Sequence, residues 1–291
     1  GIYDWLARII ERRLLGLSQH ELRKRVFKRF FLKNETEVVL AEYGMSGLAV
    51  LDACREANLP LVVHFHGFDA YDNRVTTGIG QRYPELFEYA TAIIAVSHHM
   101  EKQLISLGAP QEKIHYNPYG VDPKIFKGAD PKDMPPHFLA VGRFVDKKAP
   151  HLTLLAFKEL TQELPEARLT MIGKGYLLET CKTLSRSLNI AQNIVFSGEQ
   201  THMEVARAMQ NARAFVQHSI TTSYGDSEGT PVVILEAAAT GLPVISTKHA
   251  GIPDVIIHEK TGFLVEEGDT ERMAQYMIRL AKDPGLATEL G

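Results

Sequence analysis

The chain has 291 residues, 45% of them hydrophobic and 23% charged, with a net charge of −3. This is ordinary globular composition with room for two domains, and it gives no global case for nucleic-acid binding. No apolar run reaches the roughly 18–20 residues of a membrane span, no signal-peptide pattern opens the chain, and two distant cysteines (Cys54, Cys181) point to a reducing compartment, so a cytoplasmic location is expected.

Residues 1–33 carry nine Lys or Arg against three acids. Trp5, Leu6, Ile9, Ile10, Leu14 and Leu17 interleave with these charges at near-helical spacing. One reading is a basic amphipathic surface in peripheral contact with anionic lipid at the inner face of a membrane. The other, which is favoured, is a solvated helix face over a core.

Beyond this segment, short apolar, β-branched runs alternate with helical patterns, which predicts parallel βαβ units. Strands are expected at 38–41, 61–65, 92–96 and 114–117, then at 138–141, 169–172, 194–196, 214–217 and 244–246. Helices are expected at 152–164, with Leu152, Leu155, Ala156 and Leu160 on one face, and at 271–282, with Met273, Tyr276, Met277 and Leu280. Residues 120–136, rich in Pro, Gly and Asp, read as a connection. The expected division is a partial first Rossmann-like domain at 1–122, a linker at 123–136 and a second such domain at 137–291. The first half has only about four strand signals and opens on a helix, so it is expected to lack N-terminal strands.

Chemistry-bearing residues fall where these strands end. Gly142-Arg143 and Lys148 follow the strand at 138–141, where parallel sheets bind ligands. Arg143 can meet phosphate oxygens as a bidentate fork and Lys148 as a point charge. Gly173-Lys174-Gly175 offers a close, side-chain-free approach after the next strand, and Gly198-Glu199 follows the one after that. Glu228 and Glu236 stand eight residues apart across the start of an apolar helix. Pro231 suits the first helical position, and amides near Gly229, Thr230 and Val232 would then face an anion. With Glu236 two turns into the helix, the two carboxylates lie roughly 12 Å apart along its axis. That is too wide for a glycosidase pair, whose carboxyls sit about 5–9.5 Å apart. It suits the two ends of a long, phosphate-bearing ligand.

In the first half, His66 lies just past a strand end, and His64 and His66 share a strand face. No third ligand is evident at compatible spacing and no Asp-x-Asp is present, so no metal is expected. His98-His99 reads as a capping or packing pair.

Together these residues resemble the retaining glycosyltransferases of family 4. The resemblance rests on Glu228-x7-Glu236, the following Ala237-Ala238-Ala239-Thr240-Gly241-Leu242-Pro243-Val244-Ile245, and Gly142-Arg143 with Lys148. It also rests on His66-Gly67-Phe68-Asp69, Ala95-Val96-Ser97 and Asn117-Pro118-Tyr119-Gly120-Val121-Asp122. Residues 221–231, with the His66 stretch, look most like the exopolysaccharide (colanic-acid-type) branch.

The resemblance implies an α/β GT-B fold, two Rossmann-like domains facing a central crevice. It implies transfer of a hexose from a nucleotide-diphosphate sugar to a glycan or lipid-linked acceptor, without metal or further cofactor. Arg143 and Lys148 would stabilise the leaving diphosphate. Glu228, with the amides of Gly229 and Thr230, would hold the donor sugar or phosphate, Glu236 the ribose, and His66 would lie against the sugar. Two alternatives stand beside this: a truncated or non-catalytic nucleotide-sugar-binding protein, and a GT-B sugar-nucleotide epimerase.

Overall fold

The computed structural model describes residues 18–291, and the chain divides after Asn117 into two units. In each, the apolar runs of the sequence become an all-parallel sheet with helical crossovers.

The first unit holds β1 (Val39–Glu42), β2 (Leu61–His64), β3 (Ala92–Ala95) and β4 (Ile114–Tyr116), hydrogen-bonded in that order. Its helices are α1 (Gln19–Lys33), α2 (Gly44–Ala57), α3 (Tyr83–Tyr89) and α4 (His98–Ser106). Leu51, Leu61, Phe65, Tyr83, Leu86, Phe87 and Ile93 form a fully buried core. Ser18 caps α1 by accepting from the Glu21 amide at 3.1 Å. On α1, Lys24 and Lys28 pair with Glu56 of α2 at 2.8 and 2.9 Å. The described part of the basic segment is therefore a charged face laid against a neighbouring helix. Trp5, Leu6, Ile9, Ile10, Leu14 and Leu17 lie outside the described residues. No described helix is long and apolar enough to cross a membrane.

The second unit holds β5 (His137–Val141), β6 (Arg168–Ile172), β7 (Ile194–Gly198), β8 (Ala214–Val216), β9 (Val244–Thr247) and β10 (Gly262–Val265). Between and after them run α5 (Pro150–Glu163), α6 (Leu178–Ser187), α7 (His202–Gln210), α8 (Val232–Thr240), α9 (Thr270–Lys282) and α10 (Pro284–Leu290). The strand order β10-β9-β8-β5-β6-β7 is that of a dinucleotide-type Rossmann sheet, with its reversal point between β5 and β8. Successive strand residues feed opposite faces. Phe138 and Phe263 enter a core with Phe157, Leu169 and Met277, while Leu139 and Leu264 enter another with Phe215, Ile234 and Val244. Burial on both faces explains why the strands read as continuous apolar runs.

Three features differ from the sequence reading. β10 was not expected. It opens on Gly262, which fits only because it lacks a side chain. There, at φ 159°, a Cβ would lie 2.3 Å from the Val244 carbonyl. Second, the stretch expected as a linker at 123–136 is packed into the second unit. Phe126 is buried in its core, the Ala129 amide donates to Thr240 at 2.8 Å, and buried Arg213 donates to the carbonyls of Pro131 and Met134. Its Pro and Asp content sets turns, and the carbonyls are satisfied by a side chain. Third, α8 begins at Val232, with Pro231 capping it in an extended conformation at ψ 112°. Only Val232 to Glu236 is then helical, a rise of about 6 Å, and Glu236 sits one turn into the helix rather than two.

Candidate functional site

In an open α/β sheet the ligand crevice lies beyond the carboxyl ends of the strands where their order reverses. In the second unit that point lies at the ends of β5 and β8. A small recess of about 20 Å³ opens there, lined by Gly142, Arg143, Lys148, Thr153 and Gln217 among others.

The turn after β5 supplies the cations. Arg143 is exposed, whereas Lys147 is buried and Lys148 nearly so. Lys147 donates to the Asp226 carboxylate at 2.9 Å and the Ser227 carbonyl at 3.1 Å, pinning the loop before α8. Lys148 Nζ lies 3.2 Å from Glu228 Oε1, with side-chain exposures of 13% and 10%. Burial pushes the Lys148 ammonium below its ordinary value. Glu228 opposes that shift, and Lys147 and Arg143 add to it. For Glu228, burial alone would raise the carboxyl, but Lys148 and Lys147 hold it below the usual range. The pair is thus largely desolvated, with burial working against the charge on Lys148 and the lysines favouring the charge on Glu228.

A second network fixes the same loop from the other side. Glu267 meets His249 Nδ1 at 2.5 Å, and His249 Nε2 accepts from the Glu228 amide at 3.1 Å and lies 3.1 Å from Ser227 Oγ. Glu267 also accepts from the Thr221 amide at 2.8 Å, and the Gly251 amide donates to the Gly229 carbonyl at 3.0 Å. Beneath it, buried His218 accepts from the Gly268 amide at 2.8 Å, and burial lowers its pKa to about 4. Lys147, Asp226, His218, His249 and Glu267 carry no motif spacing, so sequence reasoning missed them. Gln217 was missed as well. Its Oε1 is a buried acceptor at the recess without a hydrogen-bond donor among the described residues. Such orphans are rare in folded proteins and signal a group that completes them.

The other expected residues divide. Glu236 is half-buried in α8, and burial raises its carboxyl, with His202 opposing weakly. Gly229 and Thr230 stand at the approach to the α8 N-terminus. Lys174 and Glu199 pair with each other at 2.7 Å in largely exposed positions, and Gly198 (φ 68°) has open space where a Cβ would be. At Gly173 and Gly175 the space a side chain would take is filled by neighbouring backbone. A Cβ there would lie 2.0 Å from the Gly142 carbonyl and 2.3 Å from that of Phe144. Neighbouring parallel strands bring the two loops into contact, so these glycines serve backbone packing, through Phe144 N–H to the Lys174 carbonyl at 2.9 Å.

In the first unit, Asp69 accepts from the amides of Gly44, His66 and Gly67 at 2.8, 2.9 and 3.1 Å and fixes the turn after β2. Burial raises this carboxyl, against those donors. The expected absence of a third group beside His64 and His66 is corrected. Glu42 pairs with His64 in the β1–β2 register, and its Oε2 lies 3.1 Å from His64 Nδ1 and 2.5 Å from His66 Nε2. Twenty-one residues of intervening chain between Glu42 and His64 hide this neighbour from any local spacing rule. Burial lowers the His64 pKa, as does His66, against Glu42. His98 and His99 are a packing pair beside Ser97, which caps α4. His98 stacks on Tyr116 with 4.2 Å between ring centroids, and His99 Nδ1 lies 2.7 Å from the Tyr71 hydroxyl.

Comparison with known proteins matches this layout. Residues 121–291 fit the family described as glycosyl transferases group 1, and residues 5–125 fit glycosyltransferase family 4. The amylovoran biosynthesis glycosyltransferase AmsK of Erwinia amylovora is 32% identical over 84% of this chain and 61% of its own length. The putative colanic acid biosynthesis glycosyltransferase WcaL of Escherichia coli is 30% identical over 84% and 62%. The chain thus spans about three-fifths of the length of these relatives. Among solved structures, Anabaena Alr3699/HepE in complex with UDP and glucose superposes with a TM-score of 0.78 at 19% identity, over 92% of this chain and 74% of that one. Sucrose-phosphate synthase from Thermosynechococcus elongatus gives 0.77 at 23%, over 92% and 70%. The chain belongs to the family described as glycosyl transferases group 1, its residues 5–125 match glycosyltransferase family 4, and it has the GT-B fold.

Proposed function

We propose that the protein is a retaining hexosyltransferase of exopolysaccharide synthesis, moving a sugar from a nucleoside-diphosphate donor to a glycan or lipid-linked acceptor. One observation carries the reading. At the sheet's reversal point a largely buried Lys148–Glu228 pair stands beside Arg143 and the orphaned acceptor Gln217 Oε1. Fixed cations in a desolvated recess suit charge that grows on a departing diphosphate. Lys148 and Arg143 supply that positive charge without a divalent ion at the phosphates. Glu228 presents its remaining acceptor capacity to sugar hydroxyls, and Glu236 to those of the ribose. The role of His66 toward the donor sugar rests on family likeness alone. Relatives solved with UDP, and with UDP-glucose, support a nucleotide-sugar ligand of this type.

Retention follows if the acceptor hydroxyl attacks the face that the diphosphate leaves, a leaving phosphate oxygen taking its proton. The experiment is a thermal-shift series with UDP-, GDP- and ADP-sugars. A ligand bound only to the folded chain stabilises it by about 2.7 kcal/mol at a hundred times its Kd. A saturable shift with one donor class is expected, and none with any donor would sink the reading. Product of inverted configuration by NMR would remove the retaining mechanism, and a requirement for Mg²⁺ or Mn²⁺ would remove metal independence.

A further inference from the structure

The turn after β9 grips the Glu228 backbone from both sides. Buried His249 accepts from the Glu228 amide through Nε2 at 3.1 Å, and the Gly251 amide donates to the Gly229 carbonyl at 3.0 Å. Ala250, between them, takes a left-handed conformation at φ 47°, a strained state for an alanine. Such strain persists where surrounding contacts over-determine it, and here those contacts are the two bonds to the Glu228 loop. Glu267, just past β10, meets His249 Nδ1 at 2.5 Å and accepts from the Thr221 amide at 2.8 Å, tying an earlier point of the same loop. We propose that His249 and Glu267 are positioning residues that hold Glu228 for the donor sugar and so set the preference for a nucleoside-diphosphate sugar over the bare nucleoside diphosphate. This inference rests on the donor reading above.

Hydrogen-bond roles fix the tautomer. A backbone N–H can only donate, so His249 Nε2 carries a lone pair and the ring proton sits on Nδ1, aimed at Glu267. Ser227 Oγ, 3.1 Å from Nε2, can donate to the same lone pair. A ring turned over, or protonated at Nε2, would set two N–H groups face to face and push the Glu228 backbone away. The His249 side chain is 1% exposed, so bulk solvent does not reach the bond. Glu267 thus orients the ring, and the ring orients the backbone from which the Glu228 carboxylate projects. Lys148 holds that carboxylate itself at 3.2 Å. Glu236 lies one turn into α8 and Arg143 on the turn after β5, outside this network. Loss of His249 or Glu267 therefore acts on the sugar end of the donor and spares the nucleotide end.

The test is calorimetry on the full chain with UDP against UDP-glucose and GDP against GDP-mannose. His249→Leu keeps the bulk and removes both ring nitrogens. Its affinity for the sugar-bearing donor, relative to the bare nucleotide, is expected to fall about tenfold or more, the scale for losing a group that orients a ligand. Glu267→Ala frees the ring and is expected to move the same ratio in the same direction. His249→Gln sets an amide oxygen near the place of Nε2 and is expected to restore most of the preference. A purely structural role would weaken both ligands alike or lower only the Tm. Either result, or a parental ratio in His249→Leu, would overturn the proposal. Glu267 is 35% exposed, so Glu267→Ala carries the test if His249→Leu does not fold by circular dichroism. Lys248→Ala, altering the exposed Lys248–Glu266 pair, is expected to keep the parental ratio, and a changed ratio there would also overturn it. A parent that binds none of the four ligands removes the donor reading and this inference with it. A parent that binds them while its variants keep the ratio removes this inference alone.

Discussion

Glu228 and Glu236 are the same side chain eight residues apart, and the second unit gives them opposite surroundings. Glu228 is nearly buried, paired with Lys148 at 3.2 Å and held below the usual carboxylate range once the lysines have overcome burial. Glu236 is half-buried on α8, with no ion pair among the described residues, and burial raises it. The difference arises from the loop between them. Lys147, His249 and Glu267 fix the Glu228 end from two sides, whereas Glu236 is placed by one turn of helix. The spacing in the motif therefore joins a locked charge to an available acceptor.

Breaking the locked end has the largest expected effect. Lys148→Met leaves Glu228 buried without its main cation and should lower unfolding stability by about 3–5 kcal/mol in chemical denaturation. Adding Glu228→Gln should recover much of that loss, because no buried charge is left unpaired. An unchanged denaturation midpoint in Lys148→Met would show that solvent already screens the pair. Arg143→Ala comes next. The side chain is exposed, so stability should hold, while turnover falls by about 10²–10³, the scale for one preorganised donor at a developing anion. Near-parental transfer rates would remove Arg143 from the leaving-group role.

His218 tests the support beneath the locked end. In the unfolded chain it takes a proton near its ordinary 6.5, whereas in the folded chain burial delays this to about 4. The unfolded state therefore binds more protons across that window, and stability present above pH 6.5 is lost as pH falls toward 4. The full loss is about 3 kcal/mol. Denaturation midpoints measured from pH 7 to 4 should drop in the parent and drop less in His218→Gln. Parallel pH curves for the two chains would contradict the assignment.

The contrast between the carboxylates also marks what could be read in the sequence. Strands such as β5, β8 and β9 were legible because burial on both faces makes them apolar runs, whereas β10, equally buried, opens on a glycine and was passed over. Gly142, Arg143, Lys148 and Glu228 were singled out as family motifs on loops beyond strand ends, and Glu236 as a motif residue on the helix that follows. The groups that set the protonation and position of Glu228 were not. His249 lies 21 residues after it and Lys147 is 81 before it, and only the strand order brings them together. Glu42 was missed beside His64 for the same reason, since parallel register acts across a whole crossover. At Gly173-x-Gly175 the bare backbone admits the neighbouring backbone of Gly142 and Phe144, a packing role that the spacing alone does not show.

The smallest expected effect belongs to the available end, and it separates the two carboxylates most directly. Glu236→Ala removes an acceptor that no described cation neutralises, so stability should change little. Loss of a hydrogen bond to a charged group costs about 1.5–3 kcal/mol, so binding of the free nucleoside diphosphate should weaken roughly 10–100-fold by calorimetry. Glu236→Gln keeps one acceptor oxygen and should fall between the two. If both variants bind nucleotide as the parent does, α8 does not present Glu236 to the ribose, and the raised carboxyl is only a consequence of packing. If they lose stability but not affinity, Glu236 is structural, and the contrast with Glu228 lies in burial alone.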